Sequence, residues 1–171
     1  RSAMEIHKPL TAHIFRPGKR VIFLAGSIGM GTAEDWQAKV TEALLSFDGY
    51  LLNPRRDDWD SSWVQDISDD QFRWQVDWEL DSLHCADLVL MYFGPATKSP
   101  ISLLELGLLA DKHKTLVACP AGFWRRGNVQ VLCNRYNIPL GDSLDWLINS
   151  AVSWLCSGRV EQEGNDEPAD L

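Results

Sequence analysis

The chain has 171 residues, 45% of them apolar and 23% charged, the proportions of an ordinary single domain with room for a sizeable core. Its formal net charge of -8 argues against a nucleic-acid backbone as partner and against an anionic membrane surface, while leaving room for a small phosphate held locally. Cys85, Cys119, Cys133 and Cys156 lack CxxC spacing, and His7, His13, His84 and His113 lack ligand spacing. The sequence therefore suggests reduced thiols in a cytoplasmic protein, with no metal and no cofactor. No apolar run is long enough to span a membrane and no signal pattern opens the chain. Arg1-Ser2-Ala3 ahead of Met4 reads as an expression remnant.

Residues 1–19 form an N-terminal extension with two prolines, in which His13-Ile14-Phe15 suits a short edge pairing. VIFLA (21–25) is the first clear strand. GSIGMG (26–31) follows as a glycine-rich loop that offers backbone N–H groups at a helix start. It lacks the G-K-[ST] of a Walker A loop and does not spell G-x-G-x-x-G, so it indicates no dinucleotide site. Gly26, Ser27 and Ile28 can cradle phosphate or ribose oxygens, or simply make a tight turn. Thr32 can cap the next helix, with Glu34 and Asp35 in its first turn and Trp36, Val40, Ala43, Leu44 and Phe47 at helical spacing. YLL (50–52) is a second strand closing at Asn53-Pro54.

Residues 55–70 are polar and acidic, interrupted by Trp59 and Trp63, and read as a long functional loop. There Asp57 can bond a base edge, Trp59 can stack on a base, and Arg55 or Arg56 can meet a phosphate; a loop salt bridge and a packed lid fit equally. Residues 71–85 form an amphipathic helix, with Phe72, Val76, Leu80 and Leu83 expected inward. Trp74 and Trp78 share one of its faces, for an interface or for core. LVLMYF (88–93) is a strand buried on both faces, followed by the breaker-rich GPATKSP.

Ser99 and Pro100 read as N-cap and first residue of a helix over 101–111, apolar almost all round and expected to be mostly buried. One acid, Glu105, sits in the middle of it. A lone carboxylate there is costly unless paired or used. LVAC (116–119) is the fourth strand, GFWRRG (122–127) a loop, and Asn128 can cap a helix reaching about Arg135. Residues 136–140 suit a last short strand and 143–155 a final helix. Residues 158–171, with five acids, read as an acidic flexible tail.

Alternation of strands and helices implies a three-layer α/β/α fold around a parallel sheet. We expect a flavodoxin-like, five-stranded sheet of order 2-1-3-4-5, whose crevice between strands 1 and 3 faces both the Gly26 and Ser99 loops.

Gly26-Ser27-Ile28 after strand 1, Ala86-Asp87 before strand 3, and SPISLLELG (99–107) resemble the nucleoside 2-deoxyribosyltransferase family and its cousins, the 2'-deoxynucleoside 5'-monophosphate N-glycosidases. NPRRDDW (53–59) is similar to the branch with a long loop after strand 2. The likeness runs from about Val21 to Leu140, within a domain over 20–157. It implies cleavage of the N-glycosidic bond of deoxynucleosides, no metal, and homo-oligomers with shared active sites. It implies Glu105, of an E-x-G segment with Gly107, as nucleophile, and Glu79 as a second acid that positions sugar or base. Glu79 can equally be a solvated helix residue. Asp87 matches too, but an acid at a strand's start lies at the far end of the sheet and suits a structural cap or turn partner. Ser99 and Ser102 can bind hydroxyls or phosphate. Gly127-Asn128 resembles the segment that completes a neighbour's pocket, where a plain N-cap is the competing view.

The reaction class expected is cleavage or transfer at an N-glycosidic bond through a glycosyl ester, on a nucleoside or nucleotide. The alternatives are a non-catalytic nucleotide-binding or sensing module, NAD cleavage at its nicotinamide bond, and a flavin-carrying electron carrier. The polar acidic tail differs from the chain-terminal tyrosine or carboxylate that base-transferring relatives place in the pocket.

Overall fold

The computed structural model describes residues 3–28, 34–56 and 62–157. Six strands, β1 (Glu5–His7), β2 (Arg20–Gly26), β3 (Gly49–Leu52), β4 (Leu88–Tyr92), β5 (Thr115–Ala118) and β6 (Leu140–Gly141), make one parallel sheet. Their order is β1-β3-β2-β4-β5-β6. This corrects the expected count and order: the sheet has six strands, and β1 adds an outer edge beyond β3. The first four strands expected from sequence lie next to one another as β3-β2-β4-β5, while the last, expected over 136–140, is displaced to Leu140–Gly141 because α4 runs through Tyr136.

The edge pairing of the N-terminal extension also differs from expectation. Glu5–His7 pairs with Tyr50, Leu51 and Leu52, while His13 turns to α2 (Asp70–Cys85) and bonds Ser82 Oγ at 2.8 Å. Trp78 Nε1 donates to Thr11 O at 2.9 Å, so the extension lies across that helix.

The strands are short and apolar because both sheet faces are covered. On one face α1 (Trp36–Leu44) and α5 (Leu144–Ser157) bury Trp36, Val40, Leu44, Leu147 and Ala151 against Ile22, Leu24, Leu90 and Ala118. On the other, α2, α3 (Pro100–Leu109) and α4 (Arg126–Tyr136) bury Trp78, Leu83, Leu106, Val129 and Cys133 against Phe23, Val89, Met91 and Val117.

Several local expectations change. Helix α1 starts at Trp36, with Asp35 as N-cap accepting from Ala38 N at 3.0 Å; Thr32 lies outside the described residues. The inward face of α2 is Gln75, Trp78, Ser82 and Leu83, not Phe72, Val76 and Leu80, because its polar residues find partners inside. Trp78 belongs to the core and Trp74 is exposed. Helix α3 is not mostly buried: Ile101, Leu104 and Leu108 face outward. Asn128 does not cap α4; it is the third residue of a helix whose N-cap is Arg125. The tail 158–171 lies outside the described residues.

Strands β2 and β4 are fixed at both ends. At the start, Asp87 Oδ2 accepts from Val21 N at 2.7 Å and Asp87 N donates to Val21 O at 2.7 Å. At the other end Gly26 has φ +134, and a Cβ there would stand 2.4 Å from Tyr92 O. Both the dihedral and the approach demand glycine. Gly26→Ala is therefore expected to cost roughly 1–3 kcal/mol, read as a lowered urea midpoint with unchanged m.

Candidate active site

In an open parallel sheet, ligands bind beyond the strands' C-terminal ends where the chain reverses its winding direction. Here that point lies between β2 and β4: the chain leaves β2 through α1 to β3, then crosses back through α2 to β4. The loop after β2 (26–28), the loop after β3 (53–56) and the loop after β4 (93–99) open at this edge.

Ser27 welds two of them. It is buried, and its N–H donates to Tyr92 O at 2.9 Å. Its Oγ accepts from Gly94 N at 2.8 Å and contacts Thr97 Oγ1 at 2.8 Å and Ser99 Oγ at 2.6 Å. Thr97 Oγ1 also lies 2.8 Å from Ser99 Oγ and 2.9 Å from Gly94 O. These four oxygen–oxygen contacts have three hydroxyl hydrogens between them. The cluster is one hydrogen short, so it favours a ligand that donates. Ser99 stands at the N-cap position of α3 with φ 45 and makes no side-chain cap bond, because its hydroxyl is committed to Ser27 and Thr97. A non-glycine residue in this left-handed conformation carries strain of the kind that collects at functional sites. Ile28 is exposed beside this cluster in the chain.

After β3, Asn53 is buried and its Oδ1 accepts from Arg55 N at 3.0 Å, an Asx turn. Asn53 N donates to His7 O at 2.9 Å, and Lys8 Nζ donates to Arg55 O at 2.6 Å. Arg55 pairs with Asp35 at 3.4 Å, and the Arg56 guanidinium lies over Trp63. Both arginines are therefore engaged with side chains of this chain. Asp57 and Trp59 lie outside the described residues.

Two carboxylates approach from the helices. Glu105 is on α3 one turn after Ser102, which is buried on the helix's inner side. Glu105 Oε2 is buried without a hydrogen-bond partner. Burial, then the negative charge of Glu79, pushes the Glu105 carboxyl up to about 8. Glu79, on α2, is also pushed up by burial, against a bond from Gln75 Nε2 to its Oε1 at 2.9 Å. Glu79 is thus no solvated helix residue. Among the described residues no salt bridge neutralises either acid. A buried acid without a partner is expensive, which makes this pair the first candidate for chemistry.

Asn128 does not join them within one chain. It is exposed on α4, in a groove with Gly127, Val131, Leu132, Arg135 and Tyr136. Two participants had little signal in the sequence. Thr97 sits in a breaker-rich loop without periodicity, and Gln75 occupies an inward position that a hydrophobic pattern assigns to apolar residues.

The fold defines an α/β protein whose parallel sheet reverses its winding between β2 and β4, with two raised carboxyls on the helices that precede and follow β4. Residues 19–123 match the family described as nucleoside 2-deoxyribosyltransferase like, and the chain belongs to it. The matched stretch contains Ser27, Glu79, Ser99 and Glu105 and ends before Asn128. The family is an enzymatic one. No curated protein significantly matches the chain.

The raised Glu105 carboxyl predicts a pH-dependent stability. Below its unfolded value of 4.5, Glu105 is protonated in both states and adds nothing to the pH dependence. Between that value and about 8 the unfolded chain releases a proton that the folded one keeps, so stability falls as pH rises. Glu105→Gln is expected to raise the Tm at pH 8.5 and to lose that advantage towards pH 5, measured by thermal unfolding across pH.

Proposed function

We propose that this protein cleaves or transfers at the N-glycosidic bond of a (2'-deoxy)nucleoside or nucleotide, with Glu105 as nucleophile. The observation that carries this reading is the Glu105 Oε2 atom, buried without a hydrogen-bond partner and within electrostatic reach of Glu79. Ionised Glu105 attacks the anomeric carbon. The carbon–nitrogen bond breaks, and the base leaves with the electron pair and takes up a proton from solvent water. The developing oxocarbenium charge is stabilised by carboxylates that burial has stripped of water. A second base or water then attacks the glycosyl ester, loses its proton, and frees Glu105. Two inversions leave the anomeric configuration retained.

Glu79 accepts a sugar hydroxyl in this scheme. The hydrogen-deficient cluster of Ser27, Thr97 and Ser99 takes a second one, with Ser102 behind it on α3. Gly26 and Ile28 shape the wall. The loop that begins at Asn53 and Arg55 carries Asp57 and Trp59, proposed here to meet the base.

The protein also acts as a homo-oligomer with shared sites. The α2–α3–α4 layer exposes Ile101 (59%), Leu104 (70%), Leu108 (53%) and Val131 (70%), whereas α1 and α5 expose no comparable set. An apolar face of this kind is the ordinary signature of self-association. Asn128 lies on the same layer, on α4, and in this reading it completes a partner copy's site.

The test is a panel of deoxynucleosides, their 5'-monophosphates and NAD, with released base quantified by chromatography. Wild type is expected to release base, and Glu105→Gln to lose about 10^4-fold or more with its circular dichroism unchanged. Equal turnover by both proteins, or thermal stabilisation by nucleotides with no base released, sinks the nucleophile assignment. The kcat/KM of wild type should rise with pH through about 8, as Glu105 sheds its proton. In Glu79→Gln that rise should move to lower pH, because the like charge is gone while burial remains. Leu104→Asp with Leu108→Asp should convert the oligomer to monomer in sedimentation velocity.

A further inference from the structure

We propose that Gln75 is a positioning residue that ties the loop after β3 to the Glu79 carboxylate and so fixes which Glu79 oxygen faces the substrate. The proposal rests on the glycosidic reading of the Glu79–Glu105 pair and adds a residue that acts through one of them.

Gln75 is 5% exposed, an unusual place for a long polar side chain. It is satisfied on both ends of its amide. Nε2 donates to Glu79 Oε1 at 2.9 Å and, more weakly, to Pro54 O at 3.4 Å. Oε1 accepts from Arg56 Nη1 at 3.4 Å. The flipped amide would set its oxygen against a carboxylate and its NH2 against a guanidinium, so only one orientation fits. Neither leucine nor glutamate supplies a donor on one side and an acceptor on the other.

The anchor that Gln75 holds is itself rigid. The Asn53 Asx turn, the Asn53–His7 bond and the Lys8–Arg55 bond secure residues 53–56 against β1 and its outgoing loop. The Glu79 end is different. Among the described residues Gln75 is the only side chain that hydrogen-bonds Glu79, and it takes Oε1 alone. The second oxygen remains for a ligand hydroxyl. Residues 75 and 79 are one turn apart on α2, so the tie is short and holds the acid while the helix holds them both. One amide thereby links the loop that carries the base-facing candidates to the acid assigned to the sugar.

The experiment pairs kinetics with crystallography, on the full chain, with the deoxynucleoside that wild type cleaves best. Gln75→Leu should lower kcat by up to about 100-fold with KM changed much less and with Tm within a few degrees of wild type. In Glu79→Gln, adding Gln75→Leu should lower the rate by a much smaller factor than it does in wild type, because the part of its effect that runs through Glu79 is already gone. Gln75→Asn, which keeps the amide on a shorter arm, should recover part of the loss. Crystals of Gln75→Leu should show the Glu79 carboxylate rotated away from its wild-type position. Full activity in Gln75→Leu, an equal loss in the Glu79→Gln background, or an unmoved Glu79 carboxylate overturns the proposal. If wild type itself releases no base, the glycosidic reading fails, and the crystals alone then decide whether Gln75 orients Glu79.

Discussion

Two carboxyl groups that burial holds above their ordinary values, one raised further by the other's charge, are the constraint around which this molecule is arranged. Glu105 and Glu79 come from different helices, the charge of Glu79 raises Glu105, and among the described residues no salt bridge neutralises either. Burying them so weakens the fold, and the rest of the structure offsets that weakness: strands covered on both faces, two full helical layers, and loops locked by side-chain bonds. Sites that store such cost are the ones where stability and activity pull apart.

The locks show a division of labour. Ser27 joins the loops after β2 and β4 through one hydroxyl and one N–H, while Gln75 joins the loop after β3 to α2. Each of the three loops is thus held by a side chain from another part of the chain. The arrangement needs glycine at 26 because β2 and β4 come too close for any side chain. It leaves Ser99 in a left-handed conformation because the hydroxyl is worth more to Ser27 than to the helix end.

Much of this was legible in the sequence, for physical reasons that vary by element. VIFLA and LVLMYF stand out because a strand buried on both faces has no polar residue to spare. The edge strand β1 has only Glu5, Ile6 and His7, and an edge tolerates polar residues that hide it. The inward face of α2 escaped detection because Gln75 and Ser82 are buried through hydrogen bonds, which hydropathy does not register. Helix α3 read as mostly buried because its apolar side chains carry no mark of which face the sheet covers, and Ile101, Leu104 and Leu108 lie on the other face. Glu105 was visible as one acid in a greasy helix. Thr97 was not, since its role depends on a contact with Ser27 seventy positions away. Asn128 before an apolar stretch resembles a cap, yet the helix had already begun at Arg126.

The bond pair between Asp87 and Val21 has a wider implication. It closes the two central strands at the edge remote from the cleft, using a carboxylate and two peptide groups and nothing from the ligand side. Fastened there, β2 and β4 keep their alignment however the opposite rim is rebuilt. Segments at that rim are then free to lengthen, shorten or change composition without disturbing the register beneath. Substrate preference becomes a property of replaceable trim, carried on a frame whose rivets lie on the other side.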